Sequence, residues 1–341
     1  MNSGQPRDVR PATIRDVAAR AGVSKSLVSL VLRGDPHVSA SRREAIQRAM
    51  DDLGYRPNLT ARSLSRSRSD AVGVLLNDLR NPWFVDLLAG LATTLRSAGL
   101  VPLMADSHTD QRIGVRSVDS LVRQGVDALV VVGTTSDPEA VAAASQELPV
   151  VLAGTREPVL PSVDVVVNDD RAGAELATGH LVELGHTRIA HLQGPGLIGS
   201  LRAQGYQAVL REAGLSPTVF LEPGGMSEES GYAATRRVLD RPEPPTAILA
   251  FNDIAAIGAL SALDDRGLRV PQDVSVVGYD NTYLARIRHL SLTSVDNGNF
   301  AVGVQAGRCL VSRLEGRSGD GELHLVPSSL VVRGSTGAAP R

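Results

Sequence analysis

From Asp70 onward the chain alternates short apolar runs with stretches of helical spacing, and this alternation constrains its fold more than any other feature. Residues 71–76 (AVGVLL), 101–104, 128–132 (ALVVV), 150–152 and 163–167 form a first series. Residues 188–193, 218–221, 247–250 and 274–277 form a second. A helix is expected between successive runs, the first over about 84–97. A strand that is apolar at nearly every position, rather than at every second one, is buried on both faces. Such strands joined through helices make parallel sheets covered on both sides, an α/β architecture. Two series imply two similar lobes. Ligands of such sheets bind outside the carboxyl ends of the strands, so a cleft between the lobes is the default site.

The first 69 residues differ in kind. They carry 13 Lys and Arg against 6 Asp and Glu, a balance of +7 in a chain of net charge −2, which leaves the remainder at −9. A basic head on an acidic body points to a polyanionic partner, although a solvated arginine-rich face has the same composition. Thr13, with Asp16 at the third helical position, forms a capping-box variant, and Ile14, Val17, Ala18 and Ala21 then share one face. Gly22 is placed to end that helix. Ser24 caps a second helix from Lys25 to about Leu32, with Leu27, Val28, Val31 and Leu32 available for burial, and Gly34 and Pro36 stop it. A third starts near Ser39 or Ser41, where Ser41 and Glu44 have capping-box spacing. It buries Ala45, Ile46, Ala49, Met50 and Leu53 and ends at Gly54.

Two short helices joined by a tight turn make a helix-turn-helix, whose second helix presents its first residues to base edges in the major groove. Lys25, the only lysine of the chain, and Ser26 hold those positions. A lysine there can donate to guanine O6 and N7; the alternative is an exposed helix-start residue that touches a phosphate or nothing.

The stretch TIRDVAARAGVSKSLVSLVLRGDPHVSASRREAIQRAMDDLGYRPNLTARSL resembles the DNA-binding head of the Lac repressor family. The resemblance rests on T-I-x-D-V-A-x-x-A-G-V-S, V-S-x-V-L, V-S-x-x-x-R and G-Y-x-P-N-x-x-A-R-x-L. It implies double-stranded operator DNA as partner, with Thr13, Ser24, Lys25, Ser26 and Ser29 at the interface. The chain departs at Leu30, where relatives commonly carry a base-reading arginine, so the operator half-site is expected to differ. After Pro57, residues 58–64 span about two helical turns, too short to hold alone. The resemblance implies a hinge helix that orders on DNA, bringing Asn58, Ala61 and Arg62 to it. Leu64 would be wedged between base steps of the minor groove, and Arg66 and Arg68 would lie at phosphates. A flexible Ser/Arg linker is the alternative.

The resemblance continues to about Arg333 through GVLLNDLRNPWF, DDRAGAELATGHLVELGHTRIAHLQGP, R-x-x-G-Y at residues 202–206, AFNDIAAIGAL and DVSVVGYDNT. It implies a two-lobed periplasmic-binding-protein-like body in which the chain crosses between lobes near Val167, Asp296 and Val326. The implied organisation is a disordered arm to residue 12, a head over 13–57, a hinge over 58–69 and an effector and dimerisation body over 70–341. The N-lobe takes about 70–167 and 297–326, and the C-lobe about 168–296 and 327–341. By position, Trp83, Phe84, Arg202, Met226, Asn252, Asp280 and Asn297 line the effector site. The Arg202 fork suits a diol or carboxylate, and Asp280 accepts from hydroxyls. With an aromatic wall this implies a small-molecule effector of the sugar class. Ordinary packing of Trp83 and Phe84, and a structural ion pair of Arg202 with Asp280, are the alternatives. Gly154 stands where relatives often carry a carboxylate, and Met226 where they often carry an aromatic residue.

A rival reading rests on Gly194-Pro-Gly196-Leu-Ile-Gly199, a G-x-G-x-x-G after a strand, with Glu222 23 residues beyond it. That is the spacing of an NAD-dependent oxidoreductase. Pro195 removes one N–H that a pyrophosphate would need, and the family run accounts for the same loop. A solute-binding protein is a third reading, opposed by the basic head and by the lack of an apolar leader before residue 13. Cys309 lies in a helical pattern over 302–314 and is expected to be packed, and His180 and His186 to be structural. No cofactor or metal is expected, and no run reaches the roughly 18 apolar residues of a membrane span. One cysteine and no leader favour the cytoplasm. The tail VPSSLVVRGSTGAAPR carries no leucine heptads, so a dimer without coiled-coil tetramerisation is expected. The expectation as a whole is a cytoplasmic, ligand-responsive repressor, not an enzyme.

Overall fold

The computed structural model describes residues 12–32, 35–55, 68–216, 218–221 (backbone only) and 225–340. The expectations for Gly34, Asn58, Ala61, Arg62, Leu64, Arg66 and Glu222, and for the arm before residue 12, lie outside these. The chain divides into two compact units, residues 1–69 and 70–341.

The head holds α1 (Ile14–Ala21), α2 (Lys25–Leu32) and α3 (Ala40–Asp52). At the start of α1 the Asp16 carboxylate accepts from the Thr13 N–H and hydroxyl, each at 2.7 Å. Gly22, at φ +66°, ends the helix in the left-handed conformation that glycine tolerates. Ser24 Oγ then accepts from Leu27 N at 3.2 Å and starts α2. Val17, Ala18, Val28, Ile46, Ala49 and Met50 form the core of the head. Two expectations are corrected. Ser39, not Ser41, precedes α3, so the Ser41–Glu44 capping box does not form. Leu53 is 36% exposed, because α3 ends at Asp52 and Tyr55 packs on the core instead, its N–H donating to Met50 O at 2.9 Å.

The first lobe of the body begins with β1 (Ala71–Leu76), α4 (Trp83–Ser97), β2 (Val101–Asp106), α5 (Ser107–Arg112) and α6 (Ser117–Arg123). It continues with β3 (Ala128–Val132), α7 (Pro138–Glu147), β4 (Val150–Ala153) and β5 (Asp164–Asn168). The second lobe follows with α8 (Asp170–Glu183), β6 (Ile189–Gln193), α9 (Gly196–Glu212), β7 (Thr218–Leu221) and α10 (Glu228–Leu239). It goes on through β8 (Ala247–Leu249), α11 (Asp253–Asp264), β9 (Ser275–Tyr279) and β10 (Thr293–Asp296). The chain then returns to the first lobe for α12 (Asn299–Leu314) and β11 (Leu323–Val326), and crosses back for β12 (Ser329–Val331).

The strand orders are β11-β5-β4-β3-β1-β2 and β12-β10-β9-β8-β6-β7. All neighbours run parallel except β10 and β12, which are antiparallel. In the first lobe alternate residues of β1 and β3 face two separate cores. Val72, Val74, Leu76 and Val130 join α4 and α12; Leu75, Leu129 and Val131 join α6 and α7. The near-continuous apolar strands follow from this two-sided burial. Strands β10, β11 and β12 are absent from the sequence reading. They lie at or next to sheet edges; β10 is buried but mostly polar in composition, and β11 and β12 mix exposed with partly buried residues, so none carries a continuous apolar signal.

Three inter-lobe crossings lie between β5 and α8, β10 and α12, and β11 and β12. The first and third are tied together: Asp169 N donates to Val326 O at 3.1 Å and Ser328 Oγ to Asp169 O at 3.4 Å. Buried Asp164 at the start of β5 anchors the returning chain. It accepts from Arg313 Nε (2.9 Å) and Nη2 (3.1 Å), from Glu322 N (2.9 Å) and from Arg317. Cys309 is buried in the first-lobe core. His180 bonds Thr336, while His186 contacts Thr246, Ser275 and Gly337 O, so both histidines hold the tail to the second lobe. Among the described residues no helix is long and apolar enough to cross a membrane.

Candidate functional site

Both sheets reverse their strand order at their first strand: β1 lies between β2 and β3, and β6 between β7 and β8. Loops leaving the carboxyl ends on either side of such a point diverge and open a crevice. A cleft lies there between the lobes. The first lobe supplies Asn77 after β1, Asn81, Trp83 and Phe84 at the start of α4, Gly133 and Thr134 after β3, Gly154 after β4 and Asn168 at the end of β5. The second supplies Ile198 and Arg202 from α9, Met226, Phe251 and Asn252 after β8, and Asp280 after β9. Six of the seven residues expected at the effector site are thus brought together. The seventh, Asn297, is fully buried behind the wall, where its Nδ2 donates to Asp280 Oδ1 at 3.0 Å.

Arg202 is 5% exposed and is held from several sides. Its Nε donates to Asp170 Oδ1 at 2.9 Å and its Nη1 to Phe251 O at 2.5 Å, while Nη2 lies 3.8 Å from Asp280 Oδ1. The guanidinium carbon stands 3.5 Å from the Tyr279 ring centre and 4.6 Å from that of Phe251. Burial alone would lower its pKa, but the neighbouring charges, Asp170 foremost, raise it, so the group stays cationic. Burial pushes the Asp280 carboxyl well above the usual carboxylate range against the pull of Arg202. Asp280, at φ +100°, and Asn281, at φ +46°, turn the chain at the end of β9 in a conformation side chains rarely adopt.

The nearest carboxylate to Arg202 is therefore Asp170, which the sequence reading did not single out. Its signal was the polar cluster Asn168-Asp169-Asp170 closing an apolar strand; Asn168 Nδ2 also donates to Asp170 Oδ1, at 3.0 Å. Asn252 is committed at both ends of its amide, accepting from Ala255 N at 2.8 Å as the cap of α11 and donating to Met226 O at 3.1 Å. Ile198, Phe251, Asn77 and Thr134 were likewise missed, because only the fold brings their loops together. Phe251 is also what Gly194 makes room for: a Cβ at 194 would lie 2.4 Å from that ring, and one at 199 would lie 1.9 Å from Gly194 O. Glycines 194 and 199 thus serve a close strand-to-helix turn. Among the described residues no group of His, Cys, Asp and Glu is placed to hold a metal.

In the head, Lys25 and Ser26 are exposed on the first turn of α2. The Thr13 hydroxyl is engaged by Asp16, Ser24 Oγ accepts from Leu27 N, and Ser29 is partly buried.

A two-lobed body with a cleft at paired switch points, carried in one chain with a helix-turn-helix head, defines a ligand-responsive DNA-binding transcriptional regulator. Residues 13–58 match the bacterial regulatory proteins of the lacI family, and residues 178–336 a periplasmic binding protein-like domain. The repressor CytR of Escherichia coli K12 is 30% identical over 335 residues, covering 96% of this chain and 97% of that protein. The chain belongs to the LacI family. The Lac repressor dimer bound to operator and the anti-inducer ONPF matches with a TM-score of 0.82 at 30% identity, covering 96% of this chain and all of that one. The CelR–cellobiose complex matches with a TM-score of 0.69 at 31% identity over the same shares. The chain is a regulator and not an enzyme; its curated relatives include the transcriptional repressors CytR and PurR.

Proposed function

We propose that the chain represses transcription in the cytoplasm by binding a two-fold symmetric operator as a dimer, and that a sugar in the interlobe cleft sets its affinity for that operator. One observation carries the effector reading. Arg202, Asp170 and Asp280 meet at the switch point of the second lobe and face the amides Asn77, Asn81 and Asn168 of the first. Convergent donors and acceptors beside an aromatic wall suit a hydroxylated ring. The Lac repressor bound to operator and CelR bound to cellobiose support the two halves of this reading. Lys25 and Ser26 are assigned base contacts, and Thr13, Ser24 and Ser29 backbone positioning. A ligand contacting both lobes shifts the lobe equilibrium by its differential affinity for the two arrangements, and operator affinity follows.

Selection of bound duplexes from a random pool by the full chain, at stated salt, tests the proposal. The expected product is a pseudo-palindrome whose half-sites lie about 10 base pairs apart. No enriched sequence, either with or without a sugar library present, would remove it.

A further inference from the structure

Resting on the operator reading above, we infer that Leu30 reads the 5-methyl group of a thymine in each operator half-site. Helix α2 has two distinct faces. Leu27, Val28, Val31 and Leu32 turn to the core of the head, while Lys25, Ser26, Ser29 and Leu30 share the opposite side. Ser26 and Leu30 are four residues apart and so stand about 40° from one another around the helix axis. Leu30 is the one apolar residue of α2 that the described core of the head does not take up, and it is partly exposed. Its carbonyl accepts from Asp35 N at 3.1 Å, which fixes the backbone at that turn of the helix.

A leucine on this face can neither donate nor accept a hydrogen bond. The apolar feature that base edges present in the major groove is the thymine C5-methyl. Guanine, adenine and cytosine would set a polar edge against hydrocarbon, and that edge would lose its water without gaining a partner. Leu30 therefore selects in two ways, by covering the methyl and by penalising the polar edges. Lys25 and Leu30 lie about 7.5 Å apart along the helix axis, which places the thymine within about two base-pair steps of the pair assigned to Lys25. One helix face thus combines a hydrogen-bond donor for one base pair with an apolar contact for a neighbouring one.

The test uses the full chain and the operator duplex obtained by selection. Each thymine is replaced in turn, in both half-sites, by deoxyuridine, which lacks only the methyl group. Affinity is read by competition fluorescence anisotropy at fixed salt. At one position the replacement should weaken binding about fourfold for each half-site, or about 16-fold for the pair. Leu30→Ala should bind the thymine and uracil duplexes equally. Leu30→Met, apolar and of similar reach, should keep the discrimination; both substitutions lie outside the core of the head. With C·G in place of that T·A pair, 5-methylcytosine should bind about fourfold tighter than cytosine, because the same methyl returns to the groove. If no thymine is sensitive to loss of its methyl, or if the sensitive thymine stays so in Leu30→Ala, the inference is overturned and the repressor reading stands. If selection enriches no operator, the repressor reading falls and takes the inference with it.

Discussion

Asp164→Asn tests how the body is held together. The buried carboxylate joins β5, which leads into the first crossing, to α12 and to the approach to β11, which lead in from the second and towards the third. Burial alone would raise its pKa, but Arg313, Arg317 and the Glu322 N–H more than reverse this, and the group sits at about 2 against an ordinary 3.8. A folded pKa below the unfolded one contributes stability that is fully present above the unfolded value and is lost as pH falls through the folded one. At 1.36 kcal/mol per unit, the carboxylate contributes about 2 kcal/mol near pH 6 and about 1 kcal/mol near pH 3. Asparagine keeps the shape and removes the charge. Arg313 is then left buried without its carboxylate, which sets an upper bound of about 3–5 kcal/mol, whereas Arg317 is partly exposed and turns to water. Urea unfolding followed by Trp83 emission is the assay, because the only tryptophan lies in the same lobe. The gap between wild type and variant should be about 1 kcal/mol larger at pH 6 than at pH 3. A gap that is absent at pH 6, or constant across that range, refutes the reasoning.

Lys25→Ala should cost about 1–3 kcal/mol of operator affinity and relax preference at one base pair; a uniform loss over all sequences in a competition assay makes it a phosphate contact. Arg202→Ala should abolish the change in operator affinity on adding ligand, read by fluorescence anisotropy, and should also lower stability by about 3–5 kcal/mol by leaving Asp170 and Asp280 without their cation. An undiminished ligand response would move the effector site elsewhere. Gly199→Ala places a Cβ 1.9 Å from the Gly194 carbonyl oxygen, which is backbone and cannot swing aside. Its Tm should fall by about 4 °C or more in scanning calorimetry, and an unchanged Tm would refute the close turn.

Most of this architecture was legible before any coordinates. Strands β1, β3, β4, β6, β8 and β9 are apolar at nearly every position because helices cover both faces of each sheet there, so burial wrote itself into local composition. The helices of the head were readable because their ends are set by neighbours three residues apart, as Thr13 and Asp16 show. At Ser39 and Ser41, the two starts the sequence left open, α3 begins after Ser39, and only the Ser41–Glu44 capping box fails to form. Leu53 was misplaced for a related reason: helical spacing continues on paper after the helix itself has stopped.

The sequence by itself determined the class: a basic helix-turn-helix head and a body of two parallel-sheet lobes, each written in short-range patterns of charge, capping and apolar periodicity. Only the tertiary structure decided the contents of the cleft. It assigned the Arg202 fork first to Asp170, 32 residues away, used both ends of the Asn252 amide within the fold, and drew Asn297 behind the wall. It also set the Trp83 indole over Gly154, two positions 71 residues apart that no local pattern connects. Helix and strand propensities act over a few residues. A binding site depends on which side chains distant loops bring within a few ångströms, and that is fixed when two sheets twist, reverse their strand order and face one another.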